Sequence, residues 1–327
     1  MHHRHKTASA ASAAVALLAL GAVTSGVVAT TPAGGATARR AGIGCHRPLN
    51  ILLTNDDGYA ADGINAVYQA LVGEGEHVKV VAPATNQTGQ GGALAYGGTL
   101  TVTQPVAGDP NVYAVSGSPS DSVALALGVL YPNGGPDLVI SGANAGTNLS
   151  RTINHSGTVG AAVTAMDLGV PAIAVSSAHP AEFDPHWDGT GSMNYSGTGT
   201  LLRRIVRTLQ RTADGCRKLM PGRLGLNVNY PAGTFKGTRV TTLGTREPIP
   251  TTYTPTGAGQ YKVGYSLDPL YAATDDQQGR TTIDYRLVAR GFASITPLDG
   301  SLGVQPPGHA TMAFVDRLVA RLNRTER

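Results

Sequence analysis

The sequence predicts an α/β fold: a mostly parallel, doubly wound sheet flanked by helices, with a β-hairpin extension toward the C-terminus. Three observations carry this expectation. From about residue 49 to 231, short apolar runs alternate with helical stretches, the rhythm of strand, helix, strand. The unusual residues, Asp56-Asp57, 83–92 and 141–157, cluster where strands run out, as they would on one active-site rim. After Pro231 the texture becomes rich in Thr, Gly, Pro and Tyr.

Taken in order, strands are expected at 50–53, 78–82, 100–104, 112–115, 138–141, 172–176 and 224–229. Helices are expected at 63–72, 120–130, 158–168 and 193–212. The pattern at 288–295 reads as a further strand, followed by Thr296-Pro297-Leu298, and 309–322 as a closing helix. The expected organisation is a leader over 1–38 and one domain over 39–327. That domain has a core at about 48–232, a hairpin arm at about 233–300 and the closing helix.

The leader has the composition of a secretory signal peptide. Arg4 and Lys6 stand at the start, an uncharged apolar heart runs from Ala13 to Val23, and Ala36-Thr37-Ala38 fits a small-x-small cleavage site. The apolar heart is too short for a membrane span, so no stable membrane anchor is expected. The protein is expected to be secreted or to reach the exterior of the cell envelope. The whole chain carries a formal net charge of +4, and loss of Arg4 and Lys6 leaves it nearer neutral. No basic tract is present, which argues against a nucleic-acid polymer as partner. The two cysteines, Cys45 and Cys216, are expected to be bridged in an oxidising compartment. Two unrelated thiols are the alternative.

The chemistry concentrates in four stretches. Asn55-Asp56-Asp57-Gly58 breaks the buried run Ile51-Leu52-Leu53 into a turn. At such a junction two neighbouring carboxylates can approach one point, where they repel unless a cation or proton lies between them. A hard divalent ion suits such oxygens, although capping and a solvated turn are the ordinary roles of Asp. The loop Pro83-Ala84-Thr85-Asn86-Gln87-Thr88-Gly89 offers hydroxyl and amide oxygens, with Thr88 able to complete a metal shell or bind an anion. In Ser141-Gly142-Ala143-Asn144-Ala145-Gly146, glycines allow close approach of the backbone, and the Asn144 amide oxygen is a hard neutral ligand. His155-Ser156-Gly157-Thr158 opens a helix whose N-terminus favours an anion; Ser156 also suits plain capping. No Gly-x-Ser-x-Gly elbow, Walker loop, dinucleotide fingerprint or zinc-spaced His pair is present.

These segments resemble the SurE family, the stationary-phase survival protein and 5′/3′-nucleotidase. The likeness runs through residues 51–58, Val81-Ala82-Pro83, Gly117-Ser118-Pro119-Ser120-Asp121, 141–146 and Ser156-Gly157-Thr158-Val159. It continues through Asn227-Val228-Asn229-Tyr230-Pro231 and 291–298. The resemblance implies a Rossmann-like core and a divalent-metal phosphomonoesterase acting on nucleoside monophosphates, in some members also on short polyphosphate. It implies a homodimer or homotetramer exchanging the C-terminal arm. One Mg²⁺ or Mn²⁺ per subunit would be held by Asp56, Asp57, Thr88 and Asn144, with Asp56, Asp57 and Asn144 as the catalytic set. Substrate would contact Thr88, Gly89, Asn144, Ser156, Gly157 and Thr158. This chain departs from the usual pattern with Thr88 in place of Ser, His155 in place of Tyr, and Tyr253, Tyr261, Tyr265 and Tyr271 in its arm.

Two other readings compete. An exported metal-independent esterase would use Ser156 and His155. A non-catalytic nucleotide-binding protein would keep the fold alone, though a binder has little need for paired bare carboxylates.

Overall fold

In the computed structural model, residues 43–131, 134–183, 191–216, 218–245, 251–265, 282–300 and 309–324 are described. The leader expected over 1–38 lies outside them, as does Tyr271.

The described residues form a nine-stranded sheet in the order β3-β4-β2-β1-β5-β6-β7-β11-β8 and a separate two-stranded hairpin, β9-β10. The first half comprises β1 (Asn50–Thr54), α1 (Asp62–Val72), β2 (His77–Pro83), β3 (Val102–Thr103), β4 (Val112–Val115), α2 (Pro119–Leu125) and β5 (Leu138–Ala145). Next come α3 (Gly157–Asp167), β6 (Ala172–Ser177), α4 (Tyr195–Thr212), β7 (Gly225–Tyr230) and β8 (Thr238–Val240). The last are β9 (Thr251–Gly257), β10 (Gln260–Tyr265), α5 (Asp284–Ala289), β11 (Ala293–Leu298) and α6 (His309–Arg324). The parallel core pairs β4, β2, β1, β5, β6 and β7 in that spatial order.

Strand alternation sorts the core into two faces. Ile51, Leu53, Leu138 and Ile140 join one cluster with Ile64, Val67, Leu202, Ile205 and Leu318, from α1, α4 and α6. Leu52 and Val139 join the other with Val123, Val159 and Ala165, from α2 and α3. A sheet covered on both sides explains why its strands read as continuous apolar runs. Because β1 pairs with β2 on one side and β5 on the other, the order of connections reverses between β1 and β5. The crevice beyond the carboxyl ends of those strands is a topological switch point, and both Asp56-Asp57 and Asn144 emerge there.

Three expectations need correction. The expected strand at 138–141 continues to Ala145, past a register irregularity between Ser141 and Asn144. Such a bulge redirects the side chains that follow. The expected strand at 288–295 begins instead as helix α5, and the strand runs Ala293–Leu298. Leu287-Val288-Ala289 is a short apolar run that periodicity cannot assign. The stretch 233–300 is therefore not wholly an arm. β8 and β11 belong to the main sheet, and among the described residues only β9-β10 stands apart. On that hairpin Tyr253 and Tyr261 are exposed.

A disulfide joins Cys45 to Cys216, pinning the segment before β1 to the end of α4. Backbone bonds Gly44 N–H to Ala213 O (3.0 Å) and Cys45 N–H to Gln210 O (2.8 Å) reinforce it. Replacing both cysteines by alanine is expected to cost about 2–4 kcal/mol. Thermal unfolding should show the loss, while the turn at Asp56 keeps its geometry, because the bridge lies beyond the opposite end of β1.

Candidate functional site

The site begins where β1 ends. Asn55 closes the turn on itself: Gly58 N–H donates to Asn55 Oδ1 (3.1 Å), and Asn55 Nδ2 donates to Gly58 O (2.9 Å). Gly58 has φ +108°, a conformation side-chain-bearing residues rarely adopt. This lock presents Asp56 and Asp57 together at the switch point.

Asp56 is 2 % exposed. Its Oδ1 accepts a 2.5 Å hydrogen bond from Thr158 Oγ1. A Cβ placed on Gly157 would stand 2.8 Å from Asp56 Cβ and 3.0 Å from Oδ2. Only glycine lets the first turn of α3 lie against this carboxylate. The helix end expected to face a phosphate is therefore already in contact with Asp56, a favourable place for an anion. Burial pushes the Asp56 carboxyl up to about 6, opposed by the Thr158 hydroxyl and reinforced by the neighbouring Asp57 charge.

Asp57 is less deeply buried and is also pushed upward by desolvation, against the pull of Ala145 N–H. That N–H donates to Asp57 Oδ2 at 3.0 Å, so the bulged end of β5 holds Asp57 as well as carrying Asn144. Asn86 Nδ2 reaches Asp57 Oδ1 at 3.4 Å. Among the described residues no Lys, Arg or His forms an ion pair with either carboxylate. Two desolvated acids side by side without a basic partner repel unless a cation or a proton lies between them.

The neutral donors fit the same conclusion. Asn144 gives its amide N–H to Gly146 O at 2.9 Å, leaving its amide oxygen available as a ligand. The loop after β2 is tied down by Gln87 N–H to Asp56 O (2.6 Å) and by Thr88 N–H to Asn86 Oδ1 (2.9 Å). Thr88 is exposed on that loop, connected to Asp57 through Asn86. Gly89 is exposed, and a side chain there would meet open space. Two carboxylates with amide and hydroxyl oxygens are a suitable donor set for Mg²⁺ or Mn²⁺.

Ser156 caps α3, its Oγ accepting from Val159 N–H at 3.1 Å, which leaves its own proton available to a ligand. His155 is exposed, and its carbonyl accepts Gly91 N–H at 3.1 Å. No hydrogen bond joins the His155 ring to Ser156. The contact that an esterase dyad requires is therefore not formed.

Sequence reasoning missed several contributors. Asn86 and the Ala145 N–H act only through contacts made across the chain. Tyr195 opens α4 beside Gly63, its Cε1 at 3.1 Å from where a Gly63 Cβ would stand. Burial, then the charges of Asp57 and Asp62, push its phenol up to about 12. Position 195 at the start of a predicted helix gave no sign of this.

Comparison with known proteins agrees with this arrangement. The model of the family described as "Survival protein SurE" matches residues 51–249. The 5′/3′-nucleotidase SurE of Yersinia pestis (strain Pestoides F) is 35 % identical over 261 residues, covering 78 % of this chain and 91 % of that protein. The 5′/3′-nucleotidase SurE of Serratia proteamaculans (strain 568) shows the same identity and coverage. The crystal structure of the SurE protein from Aquifex aeolicus superposes with a TM-score of 0.61 at 30 % identity, covering 82 % of this chain and 99 % of that one.

Two outcomes are expected at the carboxylate pair. Gly157→Ala should lower catalytic efficiency by more than about tenfold, because the added carbon displaces Asp56; steady-state kinetics would show it. The Asp56 carboxyl sits above its unfolded value, so its contribution to stability is fully present below the ordinary carboxylate range. That contribution is lost as pH rises through about 6. In chelator, the fall in melting temperature between pH 4 and 7 should be smaller for Asp56→Asn than for wild type.

Proposed function

We propose, from the premise that this chain belongs to the SurE family, that it hydrolyses nucleoside monophosphates to nucleoside and phosphate. The reaction class is that of a phosphoric monoester hydrolase. The observation that carries the reading is the pair Asp56-Asp57 at the switch point, without a basic partner among the described residues, with Asp56 buried against the N-terminal turn of α3 and Asp57 half-buried against the end of β5.

Asp56, Asp57, Thr88 and Asn144 would hold one divalent cation, Mg²⁺ or Mn²⁺. When bound, such an ion polarises a phosphoryl group and activates water. The protein's own residues do the rest. Thr158 fixes the rotamer of Asp56 through its hydroxyl, and Ala145 N–H does the same for Asp57. Ser156 offers its hydroxyl proton, and Gly157 its N–H, to phosphate oxygens beside the carboxylates. These donors are set in place by folding, so they need no reorganisation as charge develops on the transferring group. Gly157 and the packed strand ends keep the floor of the site dry, which strengthens each of these interactions.

Short polyphosphate is a second substrate class under this reading, since it presents the same terminal phosphoryl group. Export is proposed as the setting. The leader's composition supports it, and so does a disulfide of the kind that persists outside the reducing cytoplasm. N-terminal sequencing of protein recovered from outside the cell should begin near Arg39. Assembly into a homodimer or homotetramer through the C-terminal arm is proposed on the exposed Tyr253 and Tyr261 of β9-β10.

The test is phosphate release from a panel of nucleoside monophosphates. Activity should vanish in EDTA and return with Mn²⁺ or Mg²⁺. Asp57→Ala, with metal supplied, should lose more than about 100-fold in turnover. Undiminished turnover by that variant, or by the chelated enzyme, would refute the assignment.

A further inference from the structure

The segment 146–156 runs from Asn144 to the cap of α3 across the open end of the sheet. Buried polar groups hold it from beneath. Asn148 O accepts from Asn227 Nδ2 (2.7 Å) and Asn229 Nδ2 (3.2 Å), and Asn148 N–H donates to Asn229 Oδ1 (2.8 Å). Glu182 accepts from Thr147 through both its N–H and its hydroxyl. Asp284, at the start of α5, is as fully buried as Asn227 and Asn229, and of these groups only it and Glu182 are acids.

Asp284 Oδ2 accepts Ser150 N–H at 2.7 Å, and its Oδ1 accepts Ser150 Oγ at 2.9 Å. Oδ1 also receives Tyr285 N–H (2.8 Å) and Gly244 N–H (3.3 Å). No basic side chain among the described residues pairs with it. Burial drives its carboxyl upward and these donors oppose that shift. A carboxylate desolvated to this extent and held only by neutral donors costs free energy, so its geometry is strongly specified.

Ser150 has φ +52°, a left-handed conformation that serine seldom takes without a partner. Asp284 binds both its N–H and its hydroxyl. From there the chain proceeds as a hydrogen-bonded 3₁₀ turn, Ser150–Asn154. Thr152 N–H donates to Leu149 O (3.0 Å) and His155 N–H to Thr152 O (3.0 Å), directly before Ser156. The same aspartate reaches the segment that precedes the hairpin. Besides the Gly244 bond, Asp284 N–H donates to Thr242 O (3.0 Å), and Arg151 Nε donates to Thr245 O at 3.4 Å.

We propose that Asp284 is a positioning residue: by fixing the left-handed turn at Ser150 it sets the place of Ser156, and it ties that end of the site to the chain entering the hairpin. The inference rests on Ser156 and Gly157 being the phosphate end of the site.

The experiment compares Asp284→Asn and Ser150→Gly with wild type in holoenzyme loaded with Mn²⁺, well below the melting temperature. The readouts are KM, kcat and inhibition by inorganic phosphate. Asp284→Asn keeps the shape but turns an acceptor into a donor facing other donors. It should raise KM and the phosphate inhibition constant by about tenfold or more, with kcat moving less. Ser150→Gly takes the left-handed turn without strain and loses only the hydroxyl. Its phosphate inhibition constant should rise by about threefold to tenfold, and because glycine relieves the left-handed strain while the Ser150 N–H bond to Asp284 stays, it folds and decides the matter even where Asp284→Asn folds poorly. Glu76→Gln, which alters a buried acid bonded to Leu49 N–H and Gln210 far from the loop, should lower stability and leave the phosphate constant alone. If Asp284→Asn and Ser150→Gly retain the wild-type KM and phosphate constant, Asp284 serves stability only and the proposal fails. If Ser156→Ala leaves the phosphate constant unchanged, the phosphate end is wrongly placed, and the proposal falls with it.

Discussion

The open end of this sheet is arranged around two adjacent acids that share a crevice and, among the described residues, are held by neutral donors alone. Left in water, such a pair would separate and solvate. Here Asn55 locks the turn, Thr158 holds one carboxylate and Ala145 N–H holds the other. Each holder comes from a different part of the chain. The parallel sheet brings them together because β1 is its central switch strand, with β5 directly beside it. Close packing then limits what the surroundings can be. Gly157 stands against Asp56, and a Cβ on Gly160 would lie 2.2 Å from Gly91 O. One on Gly63 would lie 1.9 Å from Ala143 O. Glycine at these points is a requirement of backbone approach, with no slack for a methyl group.

Much of this was legible in the sequence, for physical reasons. Strands buried on both faces are long apolar runs, so β1, β2, β6 and β7 were readable to within a residue or so. Asp56 and Asp57 were readable because they are neighbours in sequence as well as in space. Ser156 was readable because helix caps obey local rules. The remainder depended on contacts between distant residues. The Thr158–Asp56 bond spans 102 positions and the Ser150–Asp284 bond spans 134. A local pattern contains no trace of either. Nothing in the sequence marks Asp284, which falls within the stretch expected to be a hairpin arm, and the apolar run behind it suggested a strand where the structure has α5. The bulge in β5 was hidden for a similar reason: its glycines signal freedom of the backbone without saying which way the chain turns.

The polar groups beneath the site differ from those in it. Glu182, Asn148, Asn227, Asn229 and Asp284 are buried and bonded chiefly to backbone. Loops at the ends of sheets usually lie over the surface, where water satisfies their peptides. This one is pressed into the protein, so side chains must replace that water. The result is a loop with the rigidity of a regular element, which suits a site whose donors must be in place before the substrate arrives.

The place of β11 has a consequence for how the chain reaches its native form. This strand, from residues 293–298, is not at the margin of the sheet; it is inserted between β7 and β8, antiparallel to one and parallel to the other. During synthesis β7 (225–230) therefore waits with an open hydrogen-bonding edge until residues 293–298 have emerged. An unpaired edge of that kind invites pairing with other chains. The stretch from 231 to 292 is thus a period of exposure in the life of the nascent molecule, ended only when residues 293–298 slot home.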